Sequence, residues 1–144
     1  MNNRRIPAKA AVLGYSGLIP FAAAAAVIVL GGAQIRQTAL DGFLVYGAVI
    51  LSFLGGIRWG AASSGAGDRG QGLIFSILPS LWAAFVLWWF PAVIAAWGLM
   101  IGFIVMGLAD RLYPGRRVAA WMAPLRVRLT LAVVACHLLV VSVI

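Results

Sequence analysis

Few groups in this 144-residue chain could do chemistry: His137 is its one histidine, Cys136 its one cysteine, and Asp41, Asp68 and Asp110 are its only acidic residues. A single histidine cannot supply bis-histidine haem ligation or a histidine-rich metal site. It can stay neutral and bond to a neighbouring helix, or serve as a lone axial ligand to a porphyrin-type pigment. A proton relay would need a second buried carboxylate at its depth, and none is present. Ser16, Ser52, Ser63, Ser64, Ser76, Ser80 and Ser142 carry hydroxyls. His137 is the sole imidazole base for them, and it has no acidic orienter. Gly65, Gly67 and Gly70 spell G-x-G-x-x-G, but that spacing cradles a dinucleotide only between a strand and a helix. Here it follows an apolar helical run, with Asp68 and Arg69 inside it, and reads as a flexible loop. No catalytic, cofactor or metal site is expected, and the chain is not expected to be an enzyme.

Arg58 is the most informative charge, because it lies inside an apolar run. An arginine within a membrane span costs ~2.5 kcal/mol or more at the centre unless it is paired or reaches the interface. Asp110 closes another apolar run at the same membrane face, so an Arg58–Asp110 ion pair between helices is the preferred reading. Snorkelling of Arg58 and an anionic substrate or lipid-phosphate site are the alternatives. Arg126, at the start of the last apolar run, is a further polar candidate.

The elements that must hold these groups follow from composition. Hydrophobic residues make up 64% of the chain and charged residues 10%, against ~45–50% and ~25% in soluble domains. So short a soluble chain could not hide that much apolar surface. With ~20 apolar residues needed per crossing, an all-α, polytopic bundle of about five transmembrane helices is predicted as a single domain over 1–144. The spans are placed at about 10–32, 43–62, 73–90, 92–109 and 126–144. The first follows Arg4, Arg5 and Lys9 but is too long for a signal-peptide core, so it reads as a retained helix. Pro20 should kink the first span and Pro79 break the third. Pro91 marks a tight turn. Ser63–Gly72 reads as a polar loop, Pro114 and Pro124 as helix stops, and 116–123 as a short interfacial helix carrying Trp121. The fifth span is short and borrows length from Arg126 and Arg128 by snorkelling.

The formal charge is +8, but the basic residues sit at the ends of apolar runs, which points to topology and not to nucleic acid. Arg4, Arg5, Lys9, Arg69, Arg111, Arg116, Arg117, Arg126 and Arg128 fall on one side, and Arg36 alone on the other. The positive-inside rule then gives N-in, C-out. Trp88 and Trp89 would sit at the outer interface. Gly56 with Gly60, and Gly98 with Gly102, have the G-x-x-x-G spacing that lets helices approach closely. The lone Cys136 excludes an intramolecular disulfide.

Two longer stretches carry a likeness: Leu13-Gly14-Tyr15-Ser16-Gly17-Leu18-Ile19-Pro20-Phe21, and Tyr46 through Gly60 with its Gly55-Gly56-Ile57-Arg58-Trp59-Gly60 core. Pro79-Ser80-Leu81 and Leu125-Arg126-Val127-Arg128-Leu129-Thr130 extend it. Together they resemble the domain of unknown function 3429 family of transmembrane protein 69-like small membrane proteins. The resemblance implies a helical membrane protein and no activity, and it places Arg58 and Trp59 in the signature. The functional expectation is a non-enzymatic accessory, assembly or structural component of a larger complex in the inner (plasma) membrane. The alternative is a small oligomeric transporter or channel. Expected partners are membrane lipids, with anionic headgroups on the cytoplasmic face, and other integral subunits or copies of itself.

Overall fold

The computed structural model describes residues 6–63, 69–112 and 121–144, with side chains of 69–71 left out. Among these described residues six α-helices follow in order: α1 Ala8–Ser16, α2 Ile19–Leu30, α3 Ala33–Ser63, α4 Arg69–Trp89, α5 Ala92–Leu112 and α6 Met122–Val141. With α1 and α2 forming one crossing, five segments are long and apolar enough to cross a membrane. The all-helical, five-span architecture is as expected. The expectations for residues 64–68 and 113–120, including Pro114 and most of the interfacial helix, lie outside the described residues.

Several boundaries differ from those expected, each for a local reason. The first crossing is broken at Gly17–Leu18 and not at Pro20, which sits at the start of α2. Proline fits there because its missing N–H is one that a first turn leaves unpaired anyway. The break frees the Gly17 carbonyl, and the Tyr46 hydroxyl donates to it at 2.9 Å. The second span, α3, begins at Ala33, ten residues before the start expected from hydropathy. Gln34, Arg36, Gln37 and Asp41 are polar yet helical, and the Gln37 side-chain amide donates to Asp41 one turn on, at 3.0 Å. At ~1.5 Å per residue, the 31-residue α3 is ~46 Å long and overhangs a ~30 Å hydrocarbon core. Its polar start is therefore free to stand in water.

Pro79 does not break the third span, since α4 runs through it to Trp89. The loop expected over Ser63–Gly72 ends sooner, because α4 begins at Arg69. Pro124 is not a stop, since it lies in the first turn of α6, where proline is tolerated. Met122 and Ala123, assigned to an interfacial helix, belong to α6 as well. The tight turn at Pro91 joins α4 to α5, with Trp88 and Trp89 exposed beside it.

The core is built where α2, α3, α5 and α6 meet. Phe21, Ile28, Phe43, Leu51, Leu99, Phe103 and Val140 are each almost completely buried there. Phe21 packs edge-on against Phe43, Tyr46 and Phe103, with ring centroids 4.9 to 6.0 Å apart. The fourth helix is tied on by close approaches. The Trp82 indole N–H donates to the Gly98 carbonyl of α5 at 2.8 Å. Gly55 of α3 lies against the Ser76 carbonyl and the Pro79 ring of α4.

Candidate functional site

The polar residues singled out in the sequence form two separate places. At the basic end, where α3 and α5 finish and α6 begins, Arg58, Asp110 and Arg126 come together. Arg58 Nε donates to Asp110 Oδ1 at 2.9 Å, and its Nη2 lies 2.8 Å from the same oxygen. Arg126 Nη1 stands 3.0 Å from Oδ2. The side chains are 22%, 17% and 13% exposed for Arg58, Asp110 and Arg126. The expected Arg58–Asp110 contact is thus present, and Arg126 completes a triad that no sequence spacing announces.

Two guanidinium groups share one carboxylate, so the triad keeps a formal excess of one positive charge. Arg58 Nη2 and Arg126 Nη1 are buried at ion-pair distance but make no aligned hydrogen bond. The carboxylate cannot satisfy both forks at once, because bidentate recognition needs both of its oxygens for one arginine. What remains is an incompletely neutralised cationic spot at the membrane end of the bundle.

The second place is the middle of the bundle. His137 is completely buried, among Phe43, Phe103 and Phe21 with ring centroids 4.6, 5.6 and 5.8 Å away. Its Nδ1 lies 2.9 Å from the Val133 carbonyl, one turn back on α6. That contact makes Nδ1 the N–H donor and leaves Nε2 as a bare acceptor, with no hydrogen-bond partner among the described residues. Nε2 faces Gly47 of α3, 3.9 Å from where a Cβ would stand. The neutral histidine bonds to its own helix and not to a neighbouring one. Any planar ligand on Nε2 would have to displace phenylalanine rings or α3.

Between α4 and α5 lies a cavity of about 560 Å³. These helices touch closely near their turn, where Gly98 of α5 admits Val86 of α4, and at the cavity wall Gly102 admits Trp82 of α4 and Leu51 of α3. Further along, towards the basic end, Phe75, Leu78 and Pro79 face Val105, Met106 and Ala109 across open space, with Arg58 as the one charged lining residue among the described residues.

The two glycine pairs diverge. Gly98 and Gly102 are close-packing sites, where an added Cβ would fall within 2.7 and 2.6 Å of the neighbouring side chains. A Cβ on Gly56 or Gly60 would meet nothing within 4 Å among the described residues. Gly55 makes the α3–α4 approach instead, and it was missed because it belongs to no G-x-x-x-G pair. Among the described residues, no group of three or more His, Cys, Asp or Glu side chains could hold a metal ion.

No solved structure matches this chain. It is 36% identical over 135 residues to transmembrane protein 69 of Xenopus tropicalis, covering 89% of this chain and 51% of that protein. The chain thus spans about half the length of the curated relative it matches. A family described as "Protein of unknown function (DUF3429)" matches residues 6–142, which include the triad, His137 and the α4–α5 cavity. The chain is therefore a multi-pass helical membrane protein and belongs to the DUF3429 family.

Proposed function

We propose that this protein is a non-enzymatic subunit or assembly component of a larger membrane complex, docking through the outer face of α3. One observation carries the reading. Gly42, Val45, Val49, Phe53, Gly56 and Gly60 recur every three or four residues, and so fall on one side of α3. A Cβ on any of the three glycines would meet nothing within 4 Å among the described residues, and Val45, Val49 and Phe53 are exposed. Leu40, Phe43, Leu44, Gly47, Leu51 and Gly55 form the opposite, buried side. From Gly42 to Gly60 the open stripe runs ~27 Å at ~1.5 Å per residue, about the thickness of the hydrocarbon core.

Each mid-helix glycine costs ~1 kcal/mol relative to alanine. Gly47 and Gly55 offset that cost by admitting neighbours within the bundle. Gly42, Gly56 and Gly60 gain no such contact among the described residues, whereas a partner helix seated on them would approach closely and gain van der Waals contact. The Gly56→Leu and Gly60→Leu variants test this. Affinity purification in mild detergent should recover a stoichiometric integral-membrane partner with the wild type. The variants should lose it while remaining monodisperse and equally thermostable. Equal recovery with all three proteins, or a wild type that runs alone, would overturn the reading.

The proposed setting is an inner (plasma) membrane with the basic end cytoplasmic. The asymmetry of Lys and Arg between the two ends supports that orientation. An alkaline phosphatase fused after Ile144 should then be active and a fluorescent protein there dark. The reverse pattern would invert the topology.

A further inference from the structure

We infer that the α4–α5 cavity is a binding site for one anionic phospholipid, its headgroup phosphate on Arg58 and one acyl chain lying along the groove. The length of the groove is the first argument. On α4 its lining runs from Phe75 to Phe85, ten residues or ~15 Å at ~1.5 Å per residue, half of a ~30 Å hydrocarbon core. That is about the length of one leaflet's hydrocarbon region. Its volume of about 560 Å³ lies within the ~300–1,000 Å³ of small-molecule pockets.

The chemistry of the lining is the second argument. Apart from Arg58 the walls are apolar or aromatic, and Phe75, Leu81, Phe85, Ile101 and Val105 are exposed to the lipid phase. Trp82, in the wall, is fixed by its bond to the Gly98 carbonyl. The one charged residue stands at the interfacial end, where a headgroup belongs. Arg58 Nε donates to Asp110, and its Nη2, 2.8 Å from the same oxygen, makes no aligned hydrogen bond. A lipid phosphate there would neutralise the excess charge of the Arg58–Asp110–Arg126 triad, which no other carboxylate among the described residues can reach.

Charge also argues against a second copy of this chain in the groove. A copy entering with its own basic end at that membrane face would bring more positive charge to the cationic spot. A zwitterionic lipid fills the groove as well but carries a cation beside its phosphate. The expected preference for an anionic headgroup is about fivefold or more, the effect of one interfacial arginine.

Native mass spectrometry of the full-length protein, with thermal shifts in mild detergent, tests this with dioleoyl-phosphatidylglycerol, dioleoyl-phosphatidylcholine and inorganic phosphate as probes. Phosphatidylglycerol should be retained at one copy per chain and raise the melting temperature. Phosphatidylcholine should bind at least about fivefold more weakly, and inorganic phosphate should neither shift melting nor compete. Val105→Trp fills the groove without touching the triad. It should abolish retention while leaving the lipid-free melting temperature unchanged. Arg58→Gln should erase the headgroup preference, not the occupancy. Equal retention of both lipids, undiminished binding by Val105→Trp, or competition by inorganic phosphate would each overturn the inference, the last by pointing to a free-anion site.

Discussion

Asparagine at position 110 is expected to destabilise the protein more than the simultaneous loss of all three charges in its triad. Asp110 is the only carboxylate within reach of Arg58 and Arg126 among the described residues. Removing one partner from a fully buried ion pair costs ~3–5 kcal/mol, mostly by stranding the other charge. Here the side chains are 13–22% exposed and stand near a helix end. Partial solvation should therefore lower the cost to about 2–3 kcal/mol, seen as a fall of ~5–10 °C in melting temperature. The two arginines would also repel each other once the carboxylate between them is neutral. The Arg58→Gln/Asp110→Asn/Arg126→Gln triple variant keeps the side-chain volumes and leaves no stranded charge. It should melt above the single Asp110→Asn variant. Reversing only Arg58 and Asp110 should recover little, because an arginine at 110 would face Arg126. Thermal melts of these variants in one detergent decide the matter. A triple variant whose loss equals the sum of the three single losses would show that the groups act independently.

The Arg58–Asp110 contact was legible in the sequence because both residues are costly where they stand. A charge inside an apolar run must find a partner or the interface, and only one carboxylate lay at the same end of the right helices. Arg126 was harder to place. An arginine at the start of a span explains itself by snorkelling, so nothing in its position demands a partner. The aromatic surround of His137 was illegible for a related reason. Phe21, Phe43 and Phe103 lie on three different helices, and their convergence depends on how far each helix is slid along its neighbour. The α3 start shows the limit of hydropathy in another way. Arg36, Gln37 and Asp41 end an apolar run but not a helix, since backbone hydrogen bonding continues unhindered once the chain leaves the lipid.

Pro20 and Pro124 were misread for one reason, and Pro79 for another. Sequence position alone cannot say whether a proline falls in a helix's first turn, where its missing donor is harmless, or in the interior, where it is not. Pro20 and Pro124 occupy first turns, while Pro79 is interior yet tolerated. The Pro79 ring packs against the Gly55 position of α3, 3.4 Å from where a Cβ would stand. Helix α4 can therefore carry its proline because α3 presents a glycine opposite it.

That arrangement yields the second large expected effect, a contrast between neighbouring glycines. A Cβ on Gly55 would collide with the Ser76 carbonyl oxygen of α4, whereas one on Gly56 meets nothing within 4 Å. The atom in the way is backbone, held in the hydrogen-bonded ladder of a helix, and cannot rotate aside as a side chain can. Gly55→Ala must therefore push α3 and α4 apart along their shared face, losing contacts well beyond the site. Overpacking of a core costs ~1–3 kcal/mol and occasionally more, and a rigid obstacle places this case at the upper end. Gly98→Ala should cost less, because the obstructing atoms belong to the Val86 side chain. Gly56→Ala should be neutral or stabilising by up to ~1 kcal/mol through helix propensity. The expected order of melting temperatures in detergent is Gly56→Ala at or above wild type, then Gly98→Ala, then Gly55→Ala. Gly55→Leu should fail to accumulate as monodisperse protein, while Gly56→Leu purifies normally. If Gly55→Ala melts with the wild type, the α3–α4 contact is looser than described. Damage at position 56 equal to that at 55 would instead mean that the open stripe of α3 is covered even in the isolated protein.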